Sequence, residues 1–172
     1  MTDINFVSFN SEIGCIFAAE SEGAVIAVSI NDRDGEKFFR LMKKKYSRHK
    51  LNDLTKAPCQ LLESVKSQII DYLRGRRKSF ELPLSPSGSY FQKKVWRALL
   101  KIKYGQKLTY GEVAGLTGNK NAARAVGGAC KRNPIPLIIP CHRVVGSGGA
   151  LTGFGAGLDV KEKLLRLEEE NN

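Results

Sequence analysis

The segment TYGEVAGLTGNKNAARAVGGACKRN, residues 109–133, decides the fold of the second half of the chain. Thr109 and Glu112 form a capping box, in which each side chain bonds the backbone N–H of the other residue. This box predicts a helix over residues 110–116, and a second helix follows over residues 121–132 after a tight turn that contains glycine. Two short helices joined in this way are typical of a helix-turn-helix.

The second of these helices consists of small residues around one arginine, Arg124. Its small residues include Ala122, Ala123, Ala125 and Gly127. A helix that reads base edges in the major groove needs long polar side chains, and this one has almost none. Small residues allow a helix to approach a narrow groove closely, with one long side chain entering the base stack. They also allow tight packing inside a protein, and the sequence leaves both interpretations open.

The segment IPCHRVVG, residues 139–146, places a cysteine and a histidine side by side. A thiol is a strong nucleophile only as the thiolate, for which His142 is a candidate base and Arg143 a favourable charge. However, neighbours in a strand point to opposite faces, and cysteines are common in protein cores. On these residues alone, packing and catalysis are equally good interpretations of Cys141.

Two further helices are predicted around this pair of segments. Ser89 and Gln92 form a capping box that opens a helix with Trp96 on its apolar face, where the indole is expected to anchor the core. Asp159 and Glu162 are expected to cap a last helix, which runs to Glu168. The second half, residues 89–172, is therefore predicted to be a mainly helical domain.

The first half of the chain is predicted to be a separate domain, residues 1–82. Short apolar or alternating runs at 4–9, 13–19 and 24–30 predict three strands of an antiparallel meander. Residues 36–46 predict a basic amphipathic helix, and residues 60–73 predict a second, apolar one. Pro83, Pro86 and Gly88 mark a linker over residues 83–88. The predicted class is α+β, with a small antiparallel sheet and helices before the helical domain.

Charge is concentrated in the second half. The chain has 28 lysines and arginines against 17 acids, a net charge of +11, and residues 87–172 account for +8 of it. Between Ser87 and Leu158 the only acid is Glu112, against 11 cations. Such a field attracts polyanions, nucleic acid above all. A cluster at Arg74, Arg76, Arg77 and Lys78 is expected to be a solvated helix end.

Cysteine use and hydropathy exclude several classes of protein. The four cysteines are widely spaced and there are only two histidines, too few for a zinc site of ordinary spacing. No apolar run approaches the length of a membrane span, and the N-terminus lacks the features of a signal peptide. We therefore expect a protein with reduced thiols, no metal and no membrane partner, in a prokaryotic cytoplasm or a eukaryotic nucleus.

The second half closely resembles the O6-alkylguanine-DNA alkyltransferases, also called methylated-DNA–protein-cysteine methyltransferases. The matching motifs keep their order and spacing over residues 87–168, and the Pro-Cys-His-Arg box is highly specific. They are Phe91-Gln92, Val95-Trp96, Tyr104-Gly105, Thr109-Tyr110, Ala123–Gly127, Asn133-Pro134 and Ile139–Val144. The first half resembles the family only in layout, as a ribonuclease-H-like sheet with helices.

The resemblance implies how DNA would be bound. Family members are monomers that act without a cofactor on double-stranded DNA containing O6-alkylguanine, after flipping the nucleotide out of the stack. By resemblance, Arg124 fills the vacated stack while the surrounding residues Ala122, Ala123, Ala125 and Gly127 approach the minor groove. Tyr110 would assist flipping, or donate to guanine N3 as negative charge develops on the leaving base.

The resemblance also implies a catalytic set of Cys141, His142 and Glu168. Cys141 would accept the alkyl group, His142 would deprotonate it through a bound water, and Glu168 would orient the imidazole. The other substrate-binding residues implied are Asn133, Val144, Gly155 and Lys161. Asn133 would bridge the helix-turn-helix to the cysteine segment, and Lys161 would stabilise the leaving anion. Gly155 stands where some members carry serine, which implies a roomier pocket.

Three other functions compete with this one. A noncatalytic alkyltransferase-like protein would lack the cysteine of the motif, and Cys141 is present. A cysteine hydrolase would turn over repeatedly, because water can open a thioester, whereas an alkyl thioether has no carbonyl and is not opened that way. A plain helix-turn-helix regulator would need longer side chains on its second helix.

Overall fold

A computed structural model describes residues 2–172, which divide into two compact units at Pro86 and Ser87. The division falls within residues 83–88, where prolines and a glycine interrupt regular structure. No helix in the described part of the chain is both long enough and apolar enough to cross a membrane.

The first unit is built on a four-stranded sheet. Strands β1 (Ile4–Ser11), β2 (Gly14–Ser21) and β3 (Ala24–Ile30) form the predicted antiparallel meander. A fourth strand, β4 (Leu51–Asp53), pairs in parallel with β1, so the sheet order is β3-β2-β1-β4 and the sheet is mixed. The sequence did not predict β4, because three residues are too few to show a period.

Two helices cover this sheet, α1 (Glu36–Lys45) and α2 (Gln60–Leu73). The buried carboxylate of Asp32 fixes the start of α1 by accepting from the backbone N–H groups of Lys37 (3.2 Å) and Phe38 (2.9 Å). Phe38 and Met42 on the inner face of α1 are buried in the apolar cluster of the sheet. Helix α2 has the predicted bounds and packs against β1 and β2.

The second unit is mainly helical. Its helices are α3 (Tyr90–Leu99), α4 (Tyr110–Leu116), α5 (Ala123–Lys131) and α6 (Leu158–Glu170). Two short strands, β5 (Leu108–Thr109) and β6 (Val144–Val145), pair in parallel. Both predicted capping boxes are present at α3 and α4. The α+β class predicted from the sequence is therefore confirmed.

Two predicted helix starts are wrong. The helix predicted from residue 121 opens with a 3-10 turn, Lys120–Ala122, and becomes an α-helix only at Ala123. The expected cap of the last helix by Asp159 is absent, because α6 begins after Gly157 without a side-chain cap. Asp159 instead lies in the first turn of α6, where a carboxylate is favoured by the helix dipole.

Trp96 joins α3 to the helix-turn-helix. Its side chain is buried, and the indole N–H donates to the carbonyl of Ala129 on α5 at 3.0 Å. Val126 and Ala129 form the buried face of α5. The expected core role of Trp96 is confirmed, and this packing fixes the face that α5 presents to solvent.

Candidate active site and nucleic-acid interface

Buried residues lead into the cysteine of the motif. Before it, the buried Leu137 adopts a left-handed backbone conformation (φ +75°), which costs about 1–2 kcal/mol for a residue with a side chain. Ile135 and Ile139, on either side, are completely buried. Residues Cys141–Arg143 then form a 3-10 turn that leads into β6, so Cys141 and His142 are not in a strand. The geometric objection to their cooperation therefore does not apply.

Cys141 is a buried thiol that needs help to ionise. Burial raises the pKa of Cys141, while the side-chain N–H of Asn133 and the charge of Lys161 oppose this rise. The amide nitrogen of Asn133 lies 3.2 Å from the sulfur and 2.9 Å from the carbonyl oxygen of Ile139. The thiol is therefore protonated at rest and surrounded by groups that favour the thiolate when a base removes the proton.

Glu168 links the histidine and arginine of the motif. Its Oε1 lies 2.6 Å from Nε2 of His142, and both of its carboxylate oxygens accept from Nε of Arg143 at 3.0 Å. Oε2 also accepts from the backbone N–H of Gly105 at 2.8 Å, while Arg143 donates to the carbonyl of Ile102 at 2.6 Å. All three side chains are buried, so the structure brings together the predicted His142 and Glu168 and adds Arg143.

This arrangement sets the protonation state of His142. Burial lowers the pKa of His142 below its usual range, although the hydrogen bond and charge of Glu168 act in the opposite direction. A neutral imidazole whose Nε2–H donates to a carboxylate keeps its lone pair on Nδ1. His142 is therefore neutral at physiological pH and can accept a proton at Nδ1.

Lys161 lies in the protein interior behind the cysteine. Its side chain is fully buried, and the ammonium group donates to the backbone carbonyls of Val144 (2.6 Å) and Thr152 (2.9 Å). Burial lowers the pKa of Lys161, and the nearby thiols of Cys141 and Cys130 oppose this effect. Lys161 thus ties β6 to the glycine-rich loop and places a cation near the sulfur.

The sulfur faces a pocket of about 390 Å³. Its lining residues come from α4, α5, the cysteine segment and the glycine-rich loop: Tyr110, Gly127, Cys130, Lys131, Cys141, Thr152, Gly153, Phe154 and Gly155. A Cβ added at Gly155 would meet nothing within 4 Å, so the space beside this residue is open. Three of the predicted substrate-binding residues, Asn133, Val144 and Lys161, do not line this pocket. Asn133 nevertheless contacts the Cys141 sulfur.

Sequence reasoning missed two lining residues, Cys130 and Lys131. Cys130 and Lys131 follow Gly127 by three and four positions on α5, so helical spacing places them on one face and could have indicated them. Burial and the nearby Cys141 raise the pKa of Cys130 to about 12, so this second thiol is protonated at physiological pH. By resemblance to the family, the glycine-rich loop over residues 146–157 is expected to line the pocket with its backbone, and it contributes Thr152, Gly153, Phe154 and Gly155.

Tyr110 stands at the first position of α4, at the edge of the pocket. Its hydroxyl oxygen accepts a hydrogen bond from Thr152 at 3.3 Å. Its ring lies beside Gly127, where an added Cβ would be 3.7 Å away. Burial raises the pKa of Tyr110. The phenol therefore keeps its proton at physiological pH and can donate it.

Helix α5 packs on one face and is open on the other. Arg124 and Ala125 are exposed, while Ala122, Ala123 and Gly127 are half-buried. The guanidinium of Arg124 makes no hydrogen bond or ion pair with any residue in the described range 2–172. Both sequence interpretations of this helix therefore apply, each to one face. Val126 and Ala129 pack against the protein, and the face that bears Arg124 is exposed to solvent.

Within the described residues 2–172, no three cysteine, histidine or acidic side chains come together as they would around a metal ion.

Residues 90–170 match the family model described as 6-O-methylguanine DNA methyltransferase, DNA binding domain. A methylated-DNA–protein-cysteine methyltransferase of Methanosarcina acetivorans is 42% identical over 163 residues, which cover 95% of this chain and 97% of the relative. The constitutive enzyme of that name from Bacillus subtilis is 47% identical over 108 residues, 62% of this chain and 66% of the relative.

Solved structures agree with these sequence matches. The Mycobacterium tuberculosis OGT crystallised in complex with DNA superposes with a TM-score of 0.82 at 32% identity, covering 97% of this chain and 94% of that one. The O6-methylguanine-DNA methyltransferase of Pyrococcus kodakaraensis superposes with a TM-score of 0.70 at 27% identity, covering 96% and 98%. The chain belongs to the family of the methylated-DNA–protein-cysteine methyltransferases.

Proposed function

We propose that this chain repairs alkylated DNA by moving a methyl or other alkyl group from O6 of guanine, and from O4 of alkylated thymine, onto Cys141. The observation that carries the proposal is the Cys141 sulfur in the wall of an open pocket, beside the buried His142, Glu168 and Arg143. The reaction is stoichiometric and irreversible, because no group in the site can reopen an alkyl thioether. The chain acts as a monomer on double-stranded DNA, in a prokaryotic cytoplasm or a eukaryotic nucleus.

The chemical step needs a thiolate and a protonated leaving group. A bound water passes the thiol proton of Cys141 to Nδ1 of His142, and Glu168 stabilises the resulting imidazolium through Nε2. The sulfur then attacks the alkyl carbon, the carbon–oxygen bond breaks, and its electrons pass to the guanine. Tyr110 donates its proton to N3 of the leaving base, and the proton taken up by His142 then returns to the phenol through solvent. Lys161 contributes the charge that favours the thiolate rather than a direct contact with the base.

Access to the base requires extrusion from the duplex, which costs a few kcal/mol. The exposed face of α5 enters the minor groove with its small residues, and Arg124 occupies the space left in the stack. Asn133 connects this event to the sulfur, because its backbone N–H donates to Cys130 at the end of α5 and its side chain donates to Cys141.

Intact-mass measurement tests the proposed function. The protein is incubated with a duplex that carries one O6-methylguanine, and the product is then digested to locate the added mass. We expect a gain of one methyl group per chain on Cys141, with no further turnover when substrate is in excess. Repeated turnover would indicate a hydrolase. A methyl group on Cys130 would show that Cys130, and not Cys141, is the acceptor.

Replacing Arg124 with alanine tests the role of α5 in flipping. We expect methyl transfer from duplex DNA to slow about 10- to 100-fold, equivalent to about 1–3 kcal/mol of lost flipping energy. Transfer from the free O6-methylguanine base should stay within about twofold, because no stack has to be filled. Arg132→Ala, at the exposed end of the same helix, is the matched control. Equal losses on duplex and free base would exclude the proposed role of Arg124.

A further inference from the structure

The exposed face of α1 and the turn after it carry a dense set of cations. Residues 36–50 contain seven lysines and arginines against a single acid, Glu36, and these seven are half of the 14 cations in residues 1–86. All seven side chains are exposed: Lys37, Arg40, Lys43, Lys44, Lys45, Arg48 and Lys50. We call this set the α1 basic surface.

Carboxylates neutralise little of this charge. Arg40 pairs with Glu36 at 3.7 Å. Four others, Lys43, Lys44, Arg48 and Lys50, have no ion-pair partner within residues 2–172. Partial burial within the exposed surface lowers the pKa of Lys45, and the charge of the neighbouring Lys44 lowers it further, which reflects repulsion between these two cations. A bound polyanion would relieve that repulsion.

The helix dipole does not account for the whole surface. The dipole favours cations only in the last turn, which contains Lys43, Lys44 and Lys45. Lys37 and Arg40 lie in earlier turns, and Arg48 and Lys50 follow the end of the helix. The set therefore extends well beyond what a helix terminus stabilises.

A second cationic cluster of the same unit, Arg74, Arg76, Arg77 and Lys78, provides a contrast. Arg74 pairs with Glu12 at 3.4 Å, and Arg76 pairs with Asp71 at 3.9 Å. Arg77 donates to the carbonyl of Ser79 at 3.0 Å. These arginines therefore have partners within their own unit, whereas four of the seven cations of the α1 basic surface have no ion pair with a described residue.

We propose that the α1 basic surface binds the phosphate backbone of double-stranded DNA independently of sequence, as a second contact besides the helix-turn-helix. Lysines and arginines on an open helix face can neutralise phosphates but do not read bases. The choice of DNA as the polyanion rests on the proposed function. A membrane surface fits less well, because Phe39 of α1, although exposed, packs edge-on against the rings of Phe6, Phe17 and Phe38.

The test compares two full-length variants that lose the same charge. One replaces Lys43, Lys44, Lys45 and Arg48 with glutamine, and the control replaces Arg74, Arg76, Arg77 and Lys78 with glutamine. Affinity for an undamaged duplex is measured as a function of salt concentration. The slope of log affinity against log salt falls by about 0.9 for each phosphate that the protein no longer neutralises. We expect a fall of between about 2 and about 4 for the α1 variant, and of about one or less for the control.

Each other outcome has a defined meaning. Equal falls in both variants would overturn the proposal in favour of a simple net-charge effect, and an unchanged slope in the α1 variant would overturn it outright. Loss of binding to vesicles of phosphatidylcholine with phosphatidylserine, at an unchanged DNA slope, would assign the surface to membranes. Methyl uptake is scored on the same wild-type sample, so a failure of the proposed function is seen separately from a failure of this surface.

A second measurement does not depend on the folding of the variants. Hydrogen exchange of the wild-type chain is followed with and without the undamaged duplex. The proposal requires slower exchange in residues 36–50 when DNA is bound, at low salt and not at high salt. Unchanged exchange over these residues would contradict it even if the α1 variant failed to fold.

Discussion

A Cys141→Ser variant is expected to take up no methyl group from O6-methylguanine in DNA. Burial raises the pKa of the Cys141 thiol, and the proposed reaction depends on Asn133, Lys161 and His142 to make the thiolate accessible. A serine hydroxyl has a far higher pKa than a thiol, so the same groups cannot ionise it. The intact mass after incubation with methylated duplex should remain that of the unmodified variant.

The same variant should still bind its substrate. The serine hydroxyl can accept the hydrogen bond from Asn133, so affinity for methylated duplex should change by no more than about twofold, or less than about half a kcal/mol. Cys59→Ser is the matched control, because Cys59 is the N-cap of α2 without a side-chain hydrogen bond and serine is favoured there. Methyl uptake by Cys141→Ser, or its loss in Cys59→Ser, would contradict Cys141 as the acceptor.

Local signals predicted the helices well and the sheet partly. Capping boxes at Ser89 and Thr109 fix backbone donors through contacts within three residues, so the sequence alone contains the information. Strand β4 was missed because its stability comes from pairing with β1, more than 40 residues earlier, and not from its own three residues. The predicted cap at Asp159 was wrong because a carboxylate is favoured both at the N-cap and in the first turn of a helix, and the sequence does not distinguish the two positions.

The site required tertiary information that the sequence holds only indirectly. The Cys-His pair was visible, but the contact between His142 and Glu168 joins residues 26 positions apart, and an acidic tail gives no local signal of burial. Only the resemblance to the family indicated that Glu168 would orient His142. The hydrogen bond from Asn133 to the Cys141 sulfur was not predicted, because it joins two side chains eight positions apart in an irregular segment. Resemblance to the family indicated which residues form the site, and the distances between their side chains are known only from the structure.

A Glu168→Gln variant is expected to lose both stability and rate. The carboxylate is 1% exposed, and it accepts from His142, from Arg143 and from the backbone of Gly105. A glutamine places N–H donors against donors and leaves the buried guanidinium of Arg143 without its counter-ion. Breaking a buried pair in this way costs about 3–5 kcal/mol, measurable by urea unfolding. Glu169→Gln is the control, because its bridge to Lys107 is exposed and contributes about 1 kcal/mol or less.

The pH profile of the Glu168→Gln variant separates positioning from mere support. His142 accepts a proton only when it is neutral, so transfer from the free base should fall at acidic pH, with a midpoint below the ordinary histidine pKa of about 6.5. Glu168 raises the pKa of His142, and its loss should therefore move this midpoint to still lower pH. The plateau rate should fall about 100-fold or more, because the imidazolium is no longer stabilised. A lower plateau rate with an unchanged midpoint of the pH profile would indicate that Glu168 has only a structural role.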